Sequence, residues 1–131
     1  MIAFLDTSSL IKLYHQEIDS DIIMRILLDN DIKKLILSEL VQLEFRSALW
    51  KKVREKVIAQ QSANEVIKCF QKDKSNYEWI ALQYGTVISA SELLMRYGGR
   101  GLRTLDSLHL KVAIGFCYNT ERCKLYFLNL G

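Results

Sequence analysis

Short, uninterrupted apolar runs alternate along the chain with longer segments in which apolar residues recur every three or four positions. The runs are IAFL, KLILS, EWIALQ and LYFLNL, and their lack of a polar face is the pattern of strands buried on both sides. The longer segments have helical spacing. LIKLYHQE follows the first run through DTSS, whose residue types cap helices, so a helix is expected to begin near Thr7 or Ser8. SDIIMRILLDN makes a second helix, with Asp19 or Ser20 at its first turn, and SELVQLEFRSALWKKVREK makes a third behind the capping residue Ser38. SANEVIKCFQKDKSNY opens on a capping-box pair, Ser62 and Glu65. TVISASELLMRYGG is expected to end at Gly98 and Gly99, and RTLDSLHLKVAIGFCYN to start from a Thr104 cap. Apolar strands alternating with helices predict an α/β fold, a three-layer α/β/α sandwich with a parallel sheet of about four strands.

With 131 residues, half of them apolar and a quarter charged, the chain is expected to form a single domain over residues 1–131. The absence of proline and the scarcity of glycine exclude collagenous, Pro-rich and Gly/Ser-linker classes. No apolar run reaches the roughly 18 residues of a membrane span, and MIAFLDTSS lacks the basic start and cleavage site of a secretory signal. A cytoplasmic location, with no membrane partner, is the expectation. Cys69, Cys117 and Cys123 are odd in number and lack CxxC spacing, so neither a disulfide framework nor a zinc ribbon is indicated.

Charge adds a direction. Residues 1–50 carry five Lys/Arg against eight Asp/Glu, and residues 51–131 carry thirteen against seven. The basic residues concentrate at Lys51, Lys52, Arg54 and Lys56 and again at Arg96, Arg100 and Arg103, with Trp50, Tyr84 and Tyr97 near them in sequence. Such a surface suits a polyanion, while KKVREK at a helix end also complements the helix dipole, and the two readings stand side by side.

Three acids occupy unusual positions. Asp6 lies where the first strand ends, the side on which open parallel sheets bind ligands, although an Asp there also caps a helix. Glu44 falls on the helix face of Leu40 and Ala48, where a carboxylate must be paired, protonated or bound to a cation. Asp106 shares a face with Leu110, Ala113 and Cys117, close enough to its helix N-terminus to serve the dipole alone. Together, three acids after strands or beside the sheet can converge on Mg²⁺ or Mn²⁺ through hard oxygen ligands. Phosphodiester hydrolysis is the chemistry that needs such a group.

FLDTSSLIKLYHQE, LSELVQLEFRSALWKK and GLRTLDSLHLKVAI, in this order across most of the chain, resemble the PIN-domain family, specifically the VapC-type toxins of toxin–antitoxin pairs. The resemblance implies an α/β/α sandwich and a Mg²⁺-dependent (or Mn²⁺-dependent) endoribonuclease, with Asp6, Glu44 and Asp106 as the catalytic, metal-holding acids and Thr7 and Ser8 beside the first. It also implies an RNA substrate, a cognate antitoxin and a homodimer. Candidate RNA contacts are Lys12, Arg46, Lys51, Lys52, Arg100 and Arg103. The family's last strand usually ends in Ser/Thr-x-Asp, whereas FLNLG puts Asn129 at the hydroxyl position and Gly131 at the fourth acid. A domain shortened or altered at its C-terminus, a three-acid site, or a decayed copy each account for that departure. The alternative function is therefore a degenerate, non-catalytic PIN-like module that binds an antitoxin or RNA.

Other chemistries are less well supported. A phosphatase with a nucleophilic Asp would need a second acid where Ser8 stands, and no GxxxxGK[ST] or GxGxxG loop occurs. His15 and His109 are too few for a zinc site, and His109, three residues past Asp106, reads as a packed or hydrogen-bonded helix residue. Leu10, Leu13, Tyr14, Ile22 and Ile26 suit either a dimer contact or the core, and ordinary packing is the better reading without the family.

Overall fold

The computed structural model describes residues 2–119 and 125–128. In chain order the elements are β1 (Ile2–Leu5), α1 (Thr7–Tyr14), α2 (Ser20–Asp29), β2 (Lys34–Ser38), α3 (Val41–Arg54), α4 (Gln60–Asp73), β3 (Glu78–Ile80), α5 (Tyr84–Tyr97), α6 (Thr104–Asn119) and β4 (Leu125–Leu128). The strands form one parallel sheet in the order β3-β2-β1-β4. The anticipated α/β/α sandwich of about four parallel strands is the observed architecture.

Strand order explains the layers. The chain moves outward from β1 to β2 to β3, then returns past both to place β4 on the other side of β1. Right-handed crossovers taken in opposite directions put their helices on opposite faces. Side chains alternate accordingly. Ala3, Leu5 and Leu37 pack with Leu10, Val41, Phe45, Leu49, Ala63 and Phe70, the core beneath α1, α3 and α4. Phe4 and Ile36 face the other way, against Val112 and Ala113 of α6.

In the larger core Phe45 and Phe70 stack with ring centroids 4.2 Å apart, and Tyr14 meets both edge-on. Its hydroxyl donates to Asp73 Oδ2 at 2.8 Å and pairs with the Tyr77 hydroxyl. Burial, reinforced by these neighbours, pushes the Tyr14 hydroxyl well above its ordinary pKa; burial raises Tyr77 too. Leu10 is fully buried, and Leu13, Tyr14 and Ile26 pack against this core, so of the five residues suited to a dimer contact only Ile22 is exposed. Ordinary packing accounts for the other four.

Helix ends depart most from expectation. Helix α4 begins at Gln60 with Ala59 before it, and the Ser62–Glu65 pair lies inside the helix rather than at its cap. Buried Ala63 sets this start by packing. The Gly98–Gly99 pair opens a 3-10 turn, Gly98–Arg100, and the left-handed residue is Gly101 (φ 102°). Helices α2 and α3 close in the same manner on Asp31 and Lys56, both at positive φ. In each case the amide beyond the left-handed residue bonds five residues back, Ile32 to Leu27, Val57 to Lys52 and Leu102 to Tyr97. The third strand stops at Ile80, short of the EWIALQ run. Asp19 itself takes a left-handed conformation and makes no side-chain cap. Ser20 Oγ instead accepts from the Glu17 amide.

Candidate active site

Asp6 follows directly on β1, at the carboxyl edge of the sheet where the strand order reverses between β2 and β4, the position at which open α/β sheets bind ligands. It caps α1. Its Oδ1 accepts from the Ser9 amide and the Ser8 hydroxyl, both at 2.9 Å, and the residue is 4% exposed. The capping role and the sheet-edge position therefore coincide in one side chain.

Glu44 sits in the first turn of α3 and Asp106 in the first turn of α6, so each of the three acids lies at a helix N-terminus, where negative charge complements the dipole. Glu44 Oε1 accepts from Thr7 Oγ1 at 3.0 Å and lies 2.5 Å from His109 Nε2. Asp106 Oδ2 accepts from Arg103 Nε at 3.0 Å. All three acids line one cleft of about 760 Å³, together with Thr7, Ser8 and His109. Residues 38 to 100 positions apart in sequence are thus brought to one place.

Of the candidate basic contacts, Lys12, Lys51, Lys52 and Arg103 line the cleft, and Arg46 and Arg100 do not. Arg46 turns back onto its own helix, donating from Nη1 to the Gln42 carbonyl at 2.8 Å. Arg100 lies in the exposed turn after α5. Lys12 and Lys52 both pair with Glu17, a cleft residue that sequence reasoning missed because nothing in its spacing marks it. His109 is the packed, hydrogen-bonded helix residue that its sequence position suggests. Its pairing with Glu44 was not foreseen, although position i+3 from Asp106 puts it on the same helix face.

The donor set is that of a hard-cation site, five carboxylates (the three acids with Glu17 and Glu55) in a cleft without thiols. Among the described residues, Asp6 Oδ2 and Glu44 Oε2 carry no protein hydrogen bond. Yet among those residues no three His, Cys, Asp or Glu side chains are gathered closely enough to hold a metal ion. The acids converge on one cleft without closing on one point, since Thr7 and His109 hold Glu44 and Arg103 holds Asp106. Asn129, the proposed support from the last strand, lies outside the described residues, as does Gly131. Leu128 of β4 pairs with Leu5, the residue before Asp6, so β4 ends at the same edge as the acids.

The sequence model of the PIN domain family matches residues 3–116, which include all three acids. The chain belongs to the PIN domain family. No curated protein matches it. Among solved structures, this PIN domain is similar to VapC20 of Mycobacterium tuberculosis, described as a sarcin–ricin loop cleaving toxin. The two share 16% identity and a TM-score of 0.66 over 87% of this chain and 82% of that one. It is also similar to VapBC2 of Rickettsia felis, solved bound to a DNA fragment from its promoter, with 19% identity and a TM-score of 0.61 over 98% of each chain. At these identities the shared property is the fold, and the fold is VapC-like. No helix among the described residues is long and apolar enough to cross a membrane.

Proposed function

We propose that this PIN domain is the metal-dependent endoribonuclease toxin of a toxin–antitoxin pair, hydrolysing RNA phosphodiester bonds in the cleft of Asp6, Glu44 and Asp106. The observation that carries this reading is the convergence of three inward acids, one from each crossover of the sheet, on a cleft that four basic side chains also line. The acids would hold Mg²⁺ or Mn²⁺. Bound there, the cation supplies Lewis acidity toward a phosphoryl oxygen and toward water.

The chain's own residues do the rest. Ser8 and the Ser9 amide fix Asp6 through Oδ1, and Thr7 and His109 fix Glu44 through Oε1. Lys12, Lys51, Lys52 and Arg103 line the same cleft in pairs with Glu17, Glu55 and Asp106, and an RNA backbone would compete with those carboxylates for them. Three helix N-termini at the same edge add to the positive field. An antitoxin partner and a cytoplasmic site of action accompany this reading, supported by the VapC-like fold.

The second reading, a non-catalytic module that binds RNA or an antitoxin, draws on the Arg103–Asp106 pair and the lack of a three-ligand cluster among the described residues. One experiment separates the two. Purified protein is incubated with single-stranded and structured RNA, with Mg²⁺ or Mn²⁺, with chelator, and with chelator followed by excess cation. Cleavage that chelator abolishes and added cation restores supports the nuclease; RNA binding without cleavage under every condition supports the module.

A further inference from the structure

His109 belongs to α6 and Glu44 to α3, helices that pack on opposite faces of the sheet and contribute to separate cores. Their side chains meet over the sheet edge, 65 residues apart in sequence. An ionised carboxylate only accepts, so imidazole Nε2–H is the donor. Thr7 Oγ1, from α1, donates to the same oxygen, Oε1. Two donors from two helices thus converge on one oxygen of Glu44, and its second oxygen stays without a protein partner among the described residues.

The burial of His109 argues that this contact is more than packing. The residue is 2% exposed, its ring stands edge-on to Phe4 at 6.3 Å, and Nδ1 has no hydrogen-bond partner among the described residues. An apolar side chain would fill the same space without leaving a buried nitrogen unpaired. What an apolar side chain would lose is the Nε2 bond. Glu44 otherwise has three rotatable side-chain bonds in the first turn of a helix, and among the described residues the Thr7 hydroxyl alone would be left to hold it.

We propose that His109 is a positioning residue for Glu44: with Thr7 it pins Oε1 and presents Oε2 to the cation. The inference rests on the metal-dependent reading above and adds to it a side chain that touches neither cation nor RNA. Groups that support metal-ligating side chains typically change metal affinity about 10–100-fold when removed.

The test compares His109→Gln, His109→Asn and His109→Phe. The glutamine amide nitrogen stands where Nε2 stood, whereas the asparagine nitrogen falls at the Nδ1 position and cannot reach Glu44. Circular dichroism and thermal unfolding monitor the fold, calorimetric titration with Mn²⁺ measures cation affinity, and RNA cleavage gives kcat and KM. His109→Asn and His109→Phe are expected to lose about 10–100-fold in Mn²⁺ affinity, with kcat falling and KM for RNA holding. His109→Gln stays close to the parent. If His109→Phe fails to fold, the Gln and Asn pair decides, because a purely structural role treats the two amides alike. Equal affinities in parent, Gln and Asn overturn the proposal and leave the nuclease reading intact. A parent protein that neither binds Mn²⁺ nor cleaves overturns both.

Discussion

Asp6 is asked to do two things at once, and two substitutions separate them. Its Oδ1 caps α1 by accepting from the buried Ser9 amide at 2.9 Å, and its charge contributes to the acidic cleft. Asparagine caps a helix as well as aspartate does, so Asp6→Asn should keep the fold within about 0.5 kcal/mol. Asp6→Ala removes the acceptor and leaves the Ser9 amide unpaired, at a cost of about 2 kcal/mol from the lost cap and the orphaned donor together. For a chain of this size that corresponds to a fall in Tm of about 6–10 °C. Any relief of repulsion from Glu44 and Asp106 acts on both variants, so their difference isolates the cap. Urea unfolding and thermal melts measure that difference, and RNA cleavage is assayed on both proteins. Both variants should lose cleavage by more than about a hundredfold, beyond what supporting groups alone account for. Equal stability of the two would refute the capping assignment; near-parental cleavage by Asp6→Asn would refute the role of the charge.

Tyr14 and Tyr77 both have hydroxyl pKa values raised by burial, so the folded protein keeps protons that the unfolded chain releases near the ordinary value of 10.0. Stability should therefore be intact below pH 10 and fall above it, and the Tyr14→Phe/Tyr77→Phe protein should show a shallower fall in urea unfolding between pH 9 and 11. An unchanged slope would count against the buried pair. Phe45→Ala opens a cavity against the stacked Phe70 ring and should cost about 3–5 kcal/mol in the same unfolding assay. Lys51→Ala, measured for RNA binding in chelator at several salt concentrations, should reduce the salt slope by about 0.7, while Arg46→Ala, outside the cleft, should leave it unchanged. Equal effects of the two would remove the cleft as the RNA contact.

The sheet and the acids were legible because each left a local mark. Apolar runs without a polar face announced buried parallel strands, and Glu44 stood out as a charge on a face with Leu40 and Ala48. The helix ends were less legible. Asp31 and Lys56 adopt the left-handed conformation that glycine usually marks, held there by backbone bonds five residues back, and their side chains give no warning. Ser62 and Glu65 carried a start signal that packing of Ala63 overrode. That Glu44 needs a partner follows from its helix face, but the partners themselves, Thr7 and His109, are brought to it only by the tertiary fold. Glu17, paired with Lys12 and Lys52 at the cleft, is invisible for the same reason.

The central claim is that Asp6, Glu44 and Asp106 act as one site. Single-turnover cleavage of RNA in Mg²⁺ by Asp6→Asn, Glu44→Gln, Asp106→Asn and the triple variant measures this directly. Residues that work as a unit have non-additive losses, so the triple variant should be no slower than the worst single variant. Losses that multiply across the three, or a single variant that cuts at the parental rate, would contradict the account.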